Sequence, residues 1–191
     1  MSIKDYISRF RGFIKARLRT TGILPSVVMA HAIYESADET ANAGEGVHAS
    51  VYNNDTRMRA DSKWKGPKVR LPIRTISPKA KGRMAWFRVY VTGEQSVADR
   101  IDMLLSKRKS WPTMLFYDDT LKMQSEILQA AVVSNDPRYG ERIVQIVNKH
   151  KLYWMDTRWI LEYVLRTVVT ISLVRLCIYL LGFWDQIVPW R

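Results

Sequence analysis

The 191-residue sequence predicts a mainly helical α+β fold: one helical domain carrying a small β-hairpin, followed by a C-terminal hydrophobic helix. Three observations predict it. Apolar residues recur at helical spacing near the N-terminus and again between about residues 96 and 150; two short β-prone runs separated by a turn interrupt that pattern; and residues 159–184 form a long apolar stretch. A boundary is expected near residue 157, giving a domain over 1–157 and a tail over 158–191. A hydrophobic content of 47% is enough to build a core and excludes a disordered chain.

The first helix is predicted over "MSIKDYISRFRGFIKARLRTTG", where Ile3, Tyr6, Ile7, Phe10, Phe13, Ile14 and Leu18 alternate with basic residues at helical spacing. That spacing fits a helix with one face on a core, and no continuous apolar run marks a cleavable export signal. Gly22 breaks the pattern, and Pro25 suits the first turn of a second helix, "VVMAHAIYESA", which reads as amphipathic with one carboxylate, Glu35, on its last turn. Residues 37–62 are small, polar and Gly-containing, and predict a long loop with at most a short helical turn. "KVRLPIRTI" and "RMAWFRVYV", separated by "SPKAKG", predict the hairpin. Further helices are expected over Ser96 to Leu105, Thr120 to Val133 and Pro137 to His150, the last with Tyr139, Ile143, Ile146 and Val147 on one stripe.

Composition narrows the function classes. The balance of 30 Lys+Arg against 18 Asp+Glu leaves a net charge of +12, which points to an anionic partner. The basic residues are spread along the chain rather than clustered, so a nucleic-acid partner is not expected. Cys177 is the single cysteine, which excludes an internal disulfide and a cysteine-based zinc site; in its apolar run it is expected to be inert. His48 and His150 have no metal-ligand partners at useful spacing, so neither a metal site nor a cofactor is expected.

A helical domain with an inserted hairpin, a long loop and an acid ending the helix before that loop has a lysozyme-like organisation. "GILPSVVMAHAIYESA" resembles the glutamate-bearing helix of the glucosaminidase family of peptidoglycan hydrolases, which includes flagellar rod hydrolases and autolysins. "NNDTRMRADSKWKGP" is similar to that family's Asn-containing turn followed by Trp-Lys-Gly-Pro, "FRVY" to the strand that follows its hairpin, and "NDPRYGERIVQIVNKHKL" to its Asp-Pro-x-Tyr helix. The motifs occur in the family's order over roughly residues 5 to 152.

The resemblance implies cleavage of the β-1,4 glycan backbone of peptidoglycan, in the manner of an N-acetylglucosaminidase. A glycosidic oxygen is a poor leaving group, so a carboxylic acid must protonate it, and partial burial against apolar side chains favours the protonated acid. Glu35, with Val28, Ala32 and Tyr34 around it, is the candidate; His31, one turn earlier, is assigned no role. Trp64 and Trp86 are candidate sugar-stacking residues, with core packing as the alternative. Asn54 and Tyr139 are candidate substrate contacts through the family's turn and Asp-Pro-x-Tyr helix, although "DPRY" also makes a simple helix start with Asp136 as its cap.

The sequence departs from the family at the second catalytic carboxylate. Its hairpin position falls on Thr75 or Ile76, and no Asp or Glu occurs between Asp61 and Glu94. The family's helper Tyr falls on Val133, and its Asn-Leu-Phe-Gly turn reads "NDTR" from Asn54 to Arg57. Three readings stay open: Glu35 acting alone with the substrate's N-acetyl group or 6-hydroxyl, in the manner of lytic transglycosylases; Glu39, Glu45 or Asp55 supplying a second carboxylate; and a catalytically degenerate glycan-binding protein of the envelope.

The apolar stretch 159–184 is long enough, at about 1.5 Å per residue, to cross a hydrocarbon core of about 30 Å. Arg166 and Arg175 interrupt it on opposite faces, with Arg166 able to snorkel and pair with Glu162. Tyr153, Trp154, Trp159, Phe183, Trp184 and Trp190 flank it like aromatic belts. The expectation is a membrane-spanning anchor, hence a membrane-associated protein of the cell envelope, with an interfacial helix or a homo-oligomer through the tail as alternatives.

Overall fold

The computed structural model describes residues 2–36, 47–73, 83–107, 111, 117–132 and 136–156, together with 161, 164, 165 and 168–179. The chain divides into two compact units, Met1–Asp156 and Thr157–Arg191.

In the first unit, α1 (Ile3–Leu18) and α2 (Pro25–Ser36) lead to a short α3 (Val47–Ser50), a hairpin of β1 (Lys68–Pro72) and β2 (Met84–Arg88), then α4 (Gly93–Lys107), α5 (Tyr117–Val132), α6 (Tyr139–Lys149) and a 3₁₀ turn at Leu152–Asp156. The predicted helical domain with one hairpin is thus the observed architecture. Ser2 caps α1, accepting from the Asp5 amide, and Tyr6, Phe10, Ile14 and Leu18 are buried at a spacing of four.

The second helix differs from its expected amphipathic character. Val27, Val28, Met29, Ala30, His31 and Ala32 are all buried, because α1, α5, α6 and the 3₁₀ turn surround the helix. A helix apolar all round belongs in the middle of the core, not on its surface. Its start is tied down from two sides. The Asp156 carboxylate accepts from the Ser26 amide at 3.0 Å, placing a negative charge at the helix N-terminus. The Gln124 amide brackets the preceding turn, accepting from the Leu24 amide and donating to the Gly22 carbonyl, each at 2.8 Å. Gly22 has φ +76°, and a Cβ there would lie 3.1 Å from the Trp111 carbonyl oxygen, so the turn requires glycine. Beyond Pro25 at its start, α2 reaches partial exposure only in its last turn, at Tyr34 and Glu35.

The hairpin strands pair antiparallel, Lys68 opposite Arg88 and Arg70 opposite Trp86. Phe87 is buried while Trp86 is 47% exposed, as alternation along a strand demands. Residues 58–60 run beside β2: the Arg88 amide donates to the Met58 carbonyl, the Ala60 amide to the Trp86 carbonyl, and Arg59 bridges to Phe87. The end of the long loop is therefore part of the small sheet.

In the second unit, residues 168–179 are helical and exposed, Arg175 and Cys177 among them. Among the described residues no helix is long and apolar enough to cross a membrane. The expected membrane-spanning helix over 159–184 thus finds no support: of that stretch residues 161, 164, 165 and 168–179 are described, all helical, with Arg175 among them. Arg166, Glu162, Trp159, Phe183, Trp184 and Trp190 lie outside the described residues.

Candidate active site

Glu35 sits where buried α2 meets the loop, and its side chain is 14% exposed. Its two oxygens face different neighbours. The Tyr139 hydroxyl donates to Oε1 at 2.9 Å, and the Arg57 guanidinium lies 3.7 Å from Oε2 while donating through Nε to the Glu35 carbonyl oxygen at 2.8 Å. Tyr139 enters from the first turn of α6 and is 1% exposed, its ring meeting Tyr34 edge-on at 5.1 Å. Burial, and then the charge of Glu35, hold the Tyr139 phenol well above its ordinary range, so it remains a hydrogen-bond donor. On its other side the Tyr139 oxygen lies 2.5 Å from His31 Nδ1, where burial keeps the imidazole pKa well down and the ring neutral.

The segment "NNDTR" delivers Arg57. Asn53 donates to the Tyr90 and Val91 carbonyls at 3.2 and 3.0 Å. Asn54, fully buried, donates to the Met58 and Arg88 carbonyls at 2.9 and 2.8 Å and accepts from the Met58 amide at 2.7 Å. Asp55 accepts from the Tyr6 hydroxyl at 2.9 Å, and Thr56 shares its hydroxyl with Ser96 at 3.0 Å. Arg100, buried beneath the loop, donates to the Thr56 carbonyl at 2.6 Å; burial lowers its pKa against the pull of Tyr139 and Glu35. Arg57 itself has φ +48°, a left-handed conformation at the position where the family's turn carries glycine. An arginine there keeps the glycine-like backbone and adds a cation beside Glu35.

These bonds sort the expected site residues. Glu35 and Tyr139 come together directly. Asn54 has no surface to offer a substrate, since both polar ends of its amide are engaged in holding residue 58 to β2. Asp55, 4% exposed and bonded to Tyr6, has its second oxygen against Gly93, where a Cβ would be 2.2 Å away. Burial raises its pKa, and it joins α1 to the start of α4. Trp64 is half-buried: its indole N–H donates to the Pro67 carbonyl at 2.9 Å and its ring stacks on the Arg88 guanidinium, 4.6 Å from the centroid. Trp86 stands on the outer hairpin face with the Lys68 ammonium 5.2 Å from its ring centroid. Glu39, Glu45, Thr75, Ile76 and Val133 lie outside the described residues. Arg57 and Arg100 are the neighbours of Glu35 that sequence reasoning missed, while His31, noted one turn before the acid, had been given no role. The glycine position of the turn was the available signal for Arg57; an arginine on a helical stripe gave none.

A sequence model of the glucosaminidase family, described as mannosyl-glycoprotein endo-β-N-acetylglucosaminidase, matches residues 13–152. The chain belongs to the glucosaminidase family. The match spans Glu35, the "NNDTR" loop, the hairpin and α6, and leaves the C-terminal unit outside. Among solved structures, the catalytic domain of the autolysin Auto from Listeria monocytogenes is similar with a TM-score of 0.59 and 18% identity, covering 81% of this chain and 87% of that one. A C-terminally truncated glycoside hydrolase domain of FlgJ from Salmonella typhimurium gives 0.50 and 20% identity, covering 79% and 99%. A peptidoglycan hydrolase from Sphingomonas sp. A1 gives 0.56 and 17%, covering 79% and 91%. At these identities the likeness is one of fold. No curated protein sequence matches the chain.

Proposed function

We propose that the protein cleaves the β-1,4 glycan backbone of peptidoglycan as an N-acetylglucosaminidase-type glycoside hydrolase, with Glu35 as general acid. The observation that carries this reading is a carboxylic acid at the partly exposed end of a buried helix, one oxygen held by Tyr139 and the other left toward Arg57. Family membership and the peptidoglycan hydrolases among the fold's relatives supply the substrate class. The +12 charge suits a wall polymer rich in carboxylates. Glu35 protonates the glycosidic oxygen as the bond to the anomeric carbon breaks, and the anion it becomes lies beside the Arg57 guanidinium. Trp86, exposed on the hairpin, and Trp64 offer ring faces for sugar stacking.

Asp55 favours the single-acid route, because its carboxylate is engaged with Tyr6 and packed against Gly93. The oxygen that closes on the anomeric carbon is then the substrate's own N-acetyl carbonyl, and water opens the resulting ring to leave a reducing end. The site of action is the cell wall or envelope. Product analysis tests the reading: purified peptidoglycan treated with the full chain should yield muropeptides with reducing N-acetylglucosamine ends. Protein that sediments with peptidoglycan yet releases no fragment would assign it to the binding class instead.

A further inference from the structure

The polar chain behind Glu35 contains a residue that the reaction as proposed leaves unused. His31, fully buried in the middle of α2, has its Nδ1 2.5 Å from the Tyr139 oxygen, and its Nε2 is buried with no hydrogen-bond partner among the described residues. A phenol carries one proton and can donate it in one direction only. With that proton given to Glu35 Oε1 at 2.9 Å, the short approach to His31 requires a proton on Nδ1, donated to the Tyr139 oxygen. The tautomer is fixed a second time by Nε2, since a buried N–H without an acceptor is costlier than a buried lone pair without a donor.

We infer that His31 is a positioning residue for the acid: its Nδ1–H fixes the Tyr139 hydroxyl so that the phenol proton always points at Glu35 Oε1. The consequence reaches the reacting atom. An oxygen that accepts from Tyr139 cannot also hold the acidic proton along that direction, so the proton Glu35 delivers resides on Oε2, the oxygen facing Arg57 rather than the core. Without the Nδ1 donor the phenol is free to turn toward His31, and Oε1 then competes for the proton in an orientation buried away from substrate. Among the described residues the charged groups near the imidazole are Arg100, on α4, whose positive charge adds to burial in keeping the ring neutral, and Glu35 beyond Tyr139. Neutrality matters because a single tautomer, not a cation, gives the chain its direction.

This inference rests on Glu35 being the acid, yet its first test does not need activity. In the ¹⁵N-labelled full chain, the His31 ring should show a proton bonded to Nδ1 and a bare Nε2, and Tyr139→Phe should shift the Nδ1 signal. A proton found on Nε2 overturns the inference whatever the enzyme does. Kinetics form the second test. His31→Met, which removes the donor but fills the space, should lower kcat roughly tenfold, the equivalent of one neutral hydrogen bond at the strong end of its range, with KM little changed. His31→Asn, whose side-chain amide nitrogen occupies the Nδ1 position, should recover most of that loss. Equal kcat in the two variants would mean the residue only packs. Undiminished cleavage by Glu35→Gln would instead remove the functional reading and leave the tautomer result standing.

Discussion

Replacing Asn54 with Ala separates a structural latch from a substrate contact. The native amide makes three bonds of 2.7–2.9 Å in a fully buried position, to the amide and carbonyl of Met58 and to the Arg88 carbonyl. Alanine leaves one buried N–H without a partner and two carbonyls each short of a donor. With about 1–3 kcal/mol for an orphaned buried group and less for a carbonyl that keeps another bond, the loss sums to about 3 kcal/mol. For a domain of this size that is a drop in Tm of about 6–12 °C. Urea denaturation followed by circular dichroism measures the first quantity and a thermal scan the second. Peptidoglycan turbidity clearing, recorded well below the transition, then reads KM for the folded protein. A stability change under about 1 kcal/mol combined with a tenfold rise in KM would refute the latch and return Asn54 to the substrate.

Three further outcomes follow from the geometry. Gly22→Ala should cost about 1–2 kcal/mol by chemical denaturation, because φ is +76° and the new Cβ would crowd the Trp111 carbonyl oxygen at 3.1 Å. Trp86→Ala should leave stability within about 0.5 kcal/mol, given its 47% exposure, while raising KM for peptidoglycan several-fold; an unchanged KM would remove Trp86 from the binding face. Stability should also fall with acid through His31. Its folded pKa lies below the ordinary 6.5, so its stabilising contribution is present above that value and is lost as the unfolded chain takes up a proton the native state refuses. The loss should begin as pH falls through 6.5, and His31→Asn should abolish it in paired urea titrations.

The outline of the molecule was legible because its signals are local. The four-residue stripe of Tyr6, Phe10, Ile14 and Leu18, the Gly22-Pro25 break and the alternating "MAWFR" run each specify an element without help from distant chain. The expected helices agree with α4, α5 and α6 apart from a few residues at their ends, where fraying and capping decide the boundary. Glu35 was visible as an isolated acid on an apolar helix. Tyr139 was visible only through the Asp-Pro-x-Tyr resemblance; Arg57 and Arg100 were not, because they converge from separate segments, and nothing in a linear pattern reveals which side chains share a buried space. Asn54 shows a related limit: a loop asparagine that binds backbone and one that binds sugar look the same until its partners are known. The C-terminal stretch was read from hydropathy over 159–184, and among its described residues, which are helical and include Arg175, no span long and apolar enough to cross a membrane supports that reading.

The most direct test of the account is the activity of Glu35→Gln on purified peptidoglycan. The amide keeps the size of the side chain and can still accept from Tyr139, but it has no proton of suitable acidity to give. Release of reducing ends should fall by about 10²–10⁴-fold, with helical circular dichroism and sedimentation with peptidoglycan unchanged. A Glu35→Gln protein that cleaves at the wild-type rate would contradict the assignment of the acid, and with it the chemistry built around α2.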